Sequence, residues 1–493
     1  MIKGQTIVEG EGLDMTDVIL LPHLNNEVIS GVKGFKLDSY LIALEGWRRG
    51  LQLKYYKDES SVCKLHTLNT STTEKFFSLS SEKHQHFFFR SRGDKVSNET
   101  VNICQSKEKT KTFMRKKGIN VPDGRVFDVY DKEITEYAKI LGYPVIIKPI
   151  SGSMGRGVYT NLSDEFELQD ALYEFSNHFK TKKILIEKHY QGQEYRIYVV
   201  GNQVVGAINR IPANILGDGK STVRSLIRQK NSDRKNNPYL VKKPIKIDYE
   251  IKNSLNSLGY TLDSIPPEGK QVFLREKSNL SSGGDPIDAT NVLSQEVKSL
   301  AVEALKTLPG IPHAGVDVIV NPDNVKVGTV IEVNATAEIA FHMFPIEGKA
   351  RDIPKAIIDY YFPETEGKEK ANWYFNLNSV RDPLKKWVVD ELTIANPPSN
   401  FIYGEKLIVY GKIKNVGYMS WIKRQALKNC LHGNVKMLNN NVEIDLYGND
   451  EETIMNFKKL CYKGTKKSNV KKIESYSIKR EVKLMPMGFH ILN

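Results

Sequence analysis

The stretch from His313 to Ala335, HAGVDVIVNPDNVKVGTVIEVNA, decides the fold. It reads as two apolar runs rich in Val and Ile, joined by a polar turn at Asn321, Pro322, Asp323 and Asn324, which is the pattern of two buried strands. A plain core strand excludes acids, yet Asp317 interrupts GVDVIV, and Glu332 with Asn334 interrupts VIEVNA. The strand period of two places Glu332 and Asn334 on one face, and pairing of the two strands brings Asp317 to them. Hard oxygen donors facing one point suit Mg²⁺, which keeps some waters and shares its other positions with substrate phosphates. The competing reading is three exposed polar residues on a hairpin edge.

Composition bounds the rest. A chain of 493 residues exceeds one ordinary core, so two to four domains are expected. With 40% hydrophobic and 26% charged residues it belongs with folded, soluble proteins. No window approaches a membrane span, and MIKGQTIVEGEG has no apolar signal core. Cys63, Cys104, Cys430 and Cys461 are widely spaced, which argues for a reducing cytoplasm and against zinc. The net charge of +13 is mostly scattered lysine, densest at Lys458 to Lys472, and without an arginine-aromatic patch no nucleic-acid partner is expected.

Residues 1–104 read as a small α/β lead-in in which Asp38-Ser39 caps a helix carrying Leu41, Leu44 and Trp47. Phe87, Phe88 and Phe89 mark a buried strand, and the RGD at Arg92 to Asp94 reads as a plain turn. From Gln105 a basic amphipathic helix ends at Gly118, a second helix covers about Glu133 to Leu141, and the strand PVIIKPI follows. Lys148 sits inside that apolar strand, where an unpaired ammonium is costly. Directly after it, SGSMGRGV (Ser151, Gly152, Ser153, Gly155, Gly157) lets backbone N–H groups close around phosphate oxygens beside a fixed cation. The lysine precedes the loop, so this is no Walker A motif. Next, ILIEKHYQGQEYRIYVVGNQVVGAINRIPAN reads as three strands, with Glu187 to Tyr190 connecting two lobes. Glu194 and Arg196 share one face, and Arg210 lies on the adjoining strand. Each of these three is also compatible with an exposed charged sheet face.

The order Lys107, Lys148-Pro149, the glycine loop, Glu194-x-Arg196, Asp317 and Glu332-x-Asn334 is similar to the ATP-grasp superfamily. IPANILGDGKSTVRSLI and LREKSNLSSGGDPIDAT add a resemblance to cyanophycin synthetases and to the ATP-grasp half of bifunctional glutathione synthetases. The resemblance implies roles. Lys107 and Lys148 would hold nucleotide phosphates under the lid of residues 151–157. Glu187, Lys188, His189 and Tyr190 would form the adenine hinge, and Glu194 would accept from the ribose. Asp317, Glu332 and Asn334 would bind Mg²⁺ or Mn²⁺. Arg210 and Arg275, with Arg196 as a further candidate, would meet the γ-phosphate or an acyl phosphate. Two departures stand out: Ser106 replaces the Asp common before the first lysine, and ATAEIAFHMFP follows Asn334 where many relatives have a Pro-Gly turn. His313 and His342 read as packing residues.

Residues 366–400 read as a linker with one short helix near Leu384 to Leu392, ended by Pro397-Pro398. Residues 401–493 show a β-α-β-β-α-β order, ferredoxin-like. VYGKIKNVGYMSWI resembles the acylphosphatase phosphate loop, with Met419 and Met437 where that family carries its arginine and asparagine. Methionine supplies neither charge nor N–H donor, so no phosphatase activity is expected.

The expected whole is an α/β and α+β multidomain chain with an ATP-grasp core at 105–365. It is expected to be an ADP-forming ligase joining a carboxylate to an amine on an amino acid or small peptide, with ATP as co-substrate. Attached glutamate–cysteine ligase and Mur-ligase-like halves are absent from the sequence, which weighs against glutathione or cyanophycin synthesis as such. A nucleotide-binding scaffold or a glutathione-synthetase-like enzyme are the alternatives, and a homodimer is one assembly the resemblance implies.

Overall fold

A five-stranded antiparallel sheet lies at the centre of the computed structural model, ordered Asp285–Asp288, Gln203–Ile211, Gln193–Val200, His313–Asn321, Asn324–Asn334. The structure describes residues 18–29, 31–57, 65, 67, 71–150, 157–179, 181–386, 389–398, 403–478 and 484–492. The quoted stretch is its hairpin, as expected, with Asp317 directly opposite Glu332. Alternation gives the sheet two characters. Tyr195, Ile197, Val199, Val316, Val318 and Val330 share a core with helix Gln295–Lys306. Glu194, Arg196, Arg210, Asp317 and Glu332 have the opposite parity and are left on the other face.

A second antiparallel sheet is ordered Gly124–Asp128, Lys183–Lys188, Val145–Pro149, Tyr159–Leu162. Helices Ile134–Leu141 and Glu165–His178 bury its apolar face around Phe127, Ile147, Ile186 and Phe175. The three strands read from residues 184–210 are therefore divided, the first belonging to this sheet and the next two to the central one. The crossover passes Gly192, where an added Cβ would lie 2.2 Å from the Val320 carbonyl oxygen, so only glycine fits. Between Ile211 and Asp285 the chain forms a small lobe from strands Asn214–Leu216 and Gln271–Phe273 with helices Val223–Arg234 and Tyr249–Ser257.

The N-terminal layer is helix Phe35–Arg48 on the sheet Glu391–Ile394, Gln52–Tyr56, Phe76–Ser80, Gln85–Phe89, Arg92–Gly93. Three expectations are corrected here. Asp38 does not cap its own helix, which begins at Phe35; its Oδ1 accepts from the backbone N–H groups of Ile339 (3.0 Å) and Ala340 (3.1 Å). Arg92 of the RGD is buried rather than at a turn tip, donating to Val96 O and Asn98 Oδ1. The stretch 366–400 is not a bare linker: Trp373, Phe375, Leu377, Val380 and Leu384 enter the core of Tyr40, Leu41 and Trp47. Its helix is Leu377–Lys385, and Glu391–Ile394 is an edge strand of the N-terminal sheet rather than helix.

The C-terminal domain has the expected order: strand Tyr403–Lys412, helix Tyr418–Lys428, strands His432–Leu438 and Asn441–Gly448, helix Glu451–Lys463, strand Asn469–Ser477. A further strand, Phe489–Leu492, pairs parallel with His432–Leu438. Met419 and Met437 pack against the apolar core of this domain.

Candidate active site

Register assembles the first half of the site. Arg196 lies opposite Asp317 on one side, and Glu332 opposite it on the other, so three charged residues form one row across three strands. Arg196 grips both oxygens of Asp317, one at 2.7 Å, and Arg210 adds a contact of 3.3 Å. Burial alone would raise the Asp317 carboxyl, but the two guanidinium groups hold it below its usual range. Glu332 shifts the other way: burial and the neighbouring Asp317 charge push it up, against Lys107, Arg196 and Lys148. The side-chain amide of Asn334, oriented by its neighbours, donates to Glu332 Oε1 (3.1 Å) and accepts from Arg196 (3.2 Å). Glu194 pairs with Arg210 and accepts from the Ser278 hydroxyl, so Arg210 links Glu194 to Asp317.

The lysines form the second half. Lys107 opens helix Lys107–Lys116, whose N-cap is Ser106, accepting from Lys109 N. Ser106 thus caps the helix that Lys107 opens. Lys107 is half-buried; its pKa is lowered by burial, with Glu332, Lys148 and Glu187 all close enough to act on it. Lys148 is buried in its strand and ion-paired to Glu187 Oε2, while Glu187 Oε1 holds Lys111. Two ammonium groups share one carboxylate. Burial and the Lys148 charge bring Lys111 down to about 7, whereas both lysines keep Glu187 low despite its burial. Lys111 was absent from the sequence-derived set. Its signal was its place one helical turn after Lys107, on a helix that must bury one face.

Other expected residues fall as follows. Lys188 donates to the carbonyls of Gly142 (2.7 Å) and Tyr143 (3.1 Å), which ties the end of its strand to the turn before strand Val145–Pro149. His189 and Tyr190 are half-buried on the crossover. Gly157 adopts φ 69°, and Ser151, Gly152, Ser153 and Gly155 lie outside the described residues. Lys277 reaches from beyond the small lobe to the Val158 carbonyl (3.0 Å), bridging toward that loop. Arg275 is not brought to the Asp317 row; it is buried and paired with Asp248 and Glu250 of the small lobe. His313 is a packing residue, bonded to Tyr198 and Tyr361 and pushed down to about 3 by burial.

Residues 104–225 match the RimK-like ATP-grasp domain family, and residues 405–491 match the acylphosphatase family. The chain is 34% identical over 281 residues to the cyanophycin synthetase of Nostoc sp., covering 55% of this chain and 31% of that protein. It is 30% identical over 342 residues to the glutathione biosynthesis bifunctional protein of Clostridium perfringens, covering 67% of this chain and 42% of that one. The crystal structure of a bifunctional glutathione synthetase from Pasteurella multocida aligns with 29% identity and a TM-score of 0.46, covering 59% of this chain and 40% of that one. The chain therefore spans less than half the length of each of these relatives.

Proposed function

We propose that this chain, which carries a RimK-like ATP-grasp domain and a C-terminal acylphosphatase-like domain, is an ATP-dependent carboxylate–amine ligase that acts on an amino acid or small peptide. The observation that carries this reading is the Arg196–Asp317–Glu332 row set within electrostatic reach of Lys107 and Lys148. Phosphoryl transfer needs positioned positive charge and no protein nucleophile, and that is what these residues offer. A substrate carboxylate attacks the γ-phosphorus of ATP and ADP leaves; an amine then attacks the acyl carbon and phosphate leaves.

Lys107 and Lys148 are assigned to the nucleotide phosphates, Lys148 exchanging Glu187 for a phosphate oxygen while Lys111 keeps Glu187 balanced. The backbone of Glu187, Lys188, His189 and Tyr190 is assigned to adenine, and Glu194 to the ribose. Arg196 and Arg210 stabilise charge on the transferred phosphoryl group, and Arg275 fixes the small lobe through Asp248 and Glu250. Asp317, Glu332 and Asn334 fit a divalent cation such as Mg²⁺ or Mn²⁺: all three offer oxygen, and the like-charge pressure on Glu332 is what such an ion relieves. When bound, the ion neutralises phosphate charge and polarises the γ-phosphoryl group.

Among the described residues no helix is long and apolar enough to cross a membrane. The free thiols of Cys104, Cys430 and Cys461 are in keeping with the reducing cytoplasm proposed for this chain. The test is ADP release with Mg²⁺ and ATP across pools of amino acids and dipeptides, with mass detection of the condensed product. Release that needs both a carboxylate and an amine, and that fails in Glu332→Ala, is the expected result. Nucleotide binding without turnover in any pool would favour a scaffold instead.

A further inference from the structure

Asp38, Arg90, Tyr239, Lys243 and Glu338 form a charged group that the chemistry above does not use. It is assembled from three places: the N-terminal layer gives Asp38 and Arg90, the small lobe gives Tyr239 and Lys243, and Glu338 lies four residues beyond Asn334. The segment that carries Glu338 is held rigidly. The Ser91 hydroxyl donates to the Ala337 carbonyl, and Asp38 Oδ1 takes the N–H groups of Ile339 and Ala340. The group adjoins the Asp317 row through the chain itself, since Asn334, four residues before Glu338, contacts both Arg196 (3.2 Å) and Glu332 (3.1 Å).

Its hydrogen bonding is incomplete in three places. Tyr239 (2.6 Å) and Lys243 (3.0 Å) both donate to Oε2 of Glu338; among the described residues no donor meets Oε1, and the side chain stays 24% exposed. Arg90 is half-buried, with its guanidinium 3.5 Å from the centroid of the Phe35 ring and its Nε buried without a partner. Asp38 and Glu338 act on Arg90 electrostatically, yet among the described residues no carboxylate lies within ion-pair distance of it. Arg90 also holds φ 58°, a backbone region that a branched or long side chain adopts only under constraint. Asp38 is fully buried and its Oδ2 lacks a partner. A buried guanidinium nitrogen without a partner is costly, and with Glu338 Oε1 still open to a donor the two leave room for a ligand that bonds to both Arg90 and Glu338.

We propose that Arg90 and Glu338 form a subsite for the head group of a zwitterionic α-amino acid, its carboxylate on Arg90 and its amino nitrogen on Glu338 Oε1. This rests on the ligase reading of the adjoining site and names one of its two substrates by class. Lys243 and Tyr239, seated on Oε2, keep Glu338 ionised and fix its plane. An organic acid would leave Glu338 unmatched, and an amide-capped or internal peptide residue would leave Arg90 unmatched.

The test is calorimetric titration of the full chain, saturated with Mg²⁺ and ADP, with each of the twenty standard L-amino acids. Any that bind are then compared with their amides and N-acetyl forms. At least one amino acid is expected to bind, with either block weakening it about tenfold or more. Arg90→Gln should erase the penalty for the amide alone, Glu338→Gln the penalty for the N-acetyl form alone, and Arg90→Lys should restore preference for the free carboxylate. No binding by any of the twenty, equal binding of the blocked forms, or discrimination unchanged in both variants would overturn the subsite. ATP turnover on substrates that are not α-amino acids would overturn the subsite and leave the ligase reading standing. Failure to bind ADP would count against the ligase reading, while amino-acid titration without nucleotide still decides the subsite.

Discussion

Lys148 and Glu187 are ion-paired on neighbouring strands whose register sets Ile146 opposite Glu187, and both side chains are almost wholly buried. Lys111 joins from the helix, so one carboxylate holds two ammonium groups away from water. Removing the shared partner is the damaging change. Glu187→Gln is expected to cost about 3–5 kcal/mol, since it strands two buried cations. Lys111→Met leaves a one-to-one pair and should cost distinctly less. Urea midpoints of the two variants decide it, and equal losses would show that the triad does not act as a unit.

The two carboxylates of the hairpin should behave in opposite ways. Asp317 is the ion-pair partner of Arg196, whereas Arg210 also has Glu194, so Asp317→Ala leaves the buried Arg196 without its counter-ion and should destabilise by about 3–5 kcal/mol. Glu332 is under like-charge pressure from Asp317, so Glu332→Ala should leave the melting temperature unchanged or higher while abolishing ADP release. Thermal melts paired with the ADP assay separate these outcomes. A large loss of stability in Glu332→Ala would contradict the electrostatics described.

What could be read from sequence was local. The period of two aligned Glu332 with Asn334 and exposed Asp317 and Lys148 as polar intrusions in apolar strands, and the structure places each on the strand expected. What could not be read were pairings between distant elements. Glu187 and Lys111 are 76 residues apart, and Arg275 finds its partners across the small lobe. Asp38 looked like the cap of its own helix because cap signatures are local, whereas it serves backbone about 300 residues away. The stretch 366–400 looked like a linker because its apolar residues are sparse; Leu377, Val380 and Leu384 nevertheless follow helical spacing.

Asp38 gives a signed pH dependence. Burial, then the neighbouring Glu338, raises its carboxyl to about 7, against Arg90 and the two backbone donors. The folded value exceeds the unfolded one, so between about pH 4 and pH 7 the folded state holds a proton that the unfolded state has lost. The Asp38 contribution is therefore fully present below about pH 4 and declines as pH rises to 7. Asp38→Asn keeps an oxygen for Ile339 and Ala340 but cannot ionise. Relative to wild type it should gain stability on going from pH 4.5 to pH 7.5, by up to a few kcal/mol. A difference between the two proteins that is flat with pH would show that Asp38 titrates normally.

The C-terminal domain should not hydrolyse acyl phosphates. Met419 and Met437 are packed against its core and bring neither charge nor donor to the loop before helix Tyr418–Lys428. Purified chain should leave benzoyl phosphate decaying at its spontaneous rate, measured by phosphate release. Catalysed hydrolysis would place an active site elsewhere in the domain and would also conflict with a ligase that must keep its own acyl phosphate intact.

Trp373 connects this domain to the N-terminal layer. It lies in the core with Tyr40 and Trp47, its ring is 5.0 Å from that of His432 and 6.4 Å from that of Tyr447, and its strand pairs with Met485–Pro486 near the C-terminus. The domain is therefore joined through a shared apolar core rather than a tether, and its unfolding should be coupled to that of the rest. Trp373→Ala is expected to cost about 3–5 kcal/mol. Wild type should melt in one calorimetric transition and the variant in two, with the C-terminal domain separating from the N-terminal layer. A single transition in the variant, shifted by no more than a surface substitution would shift it, would mean that the two parts are held together elsewhere.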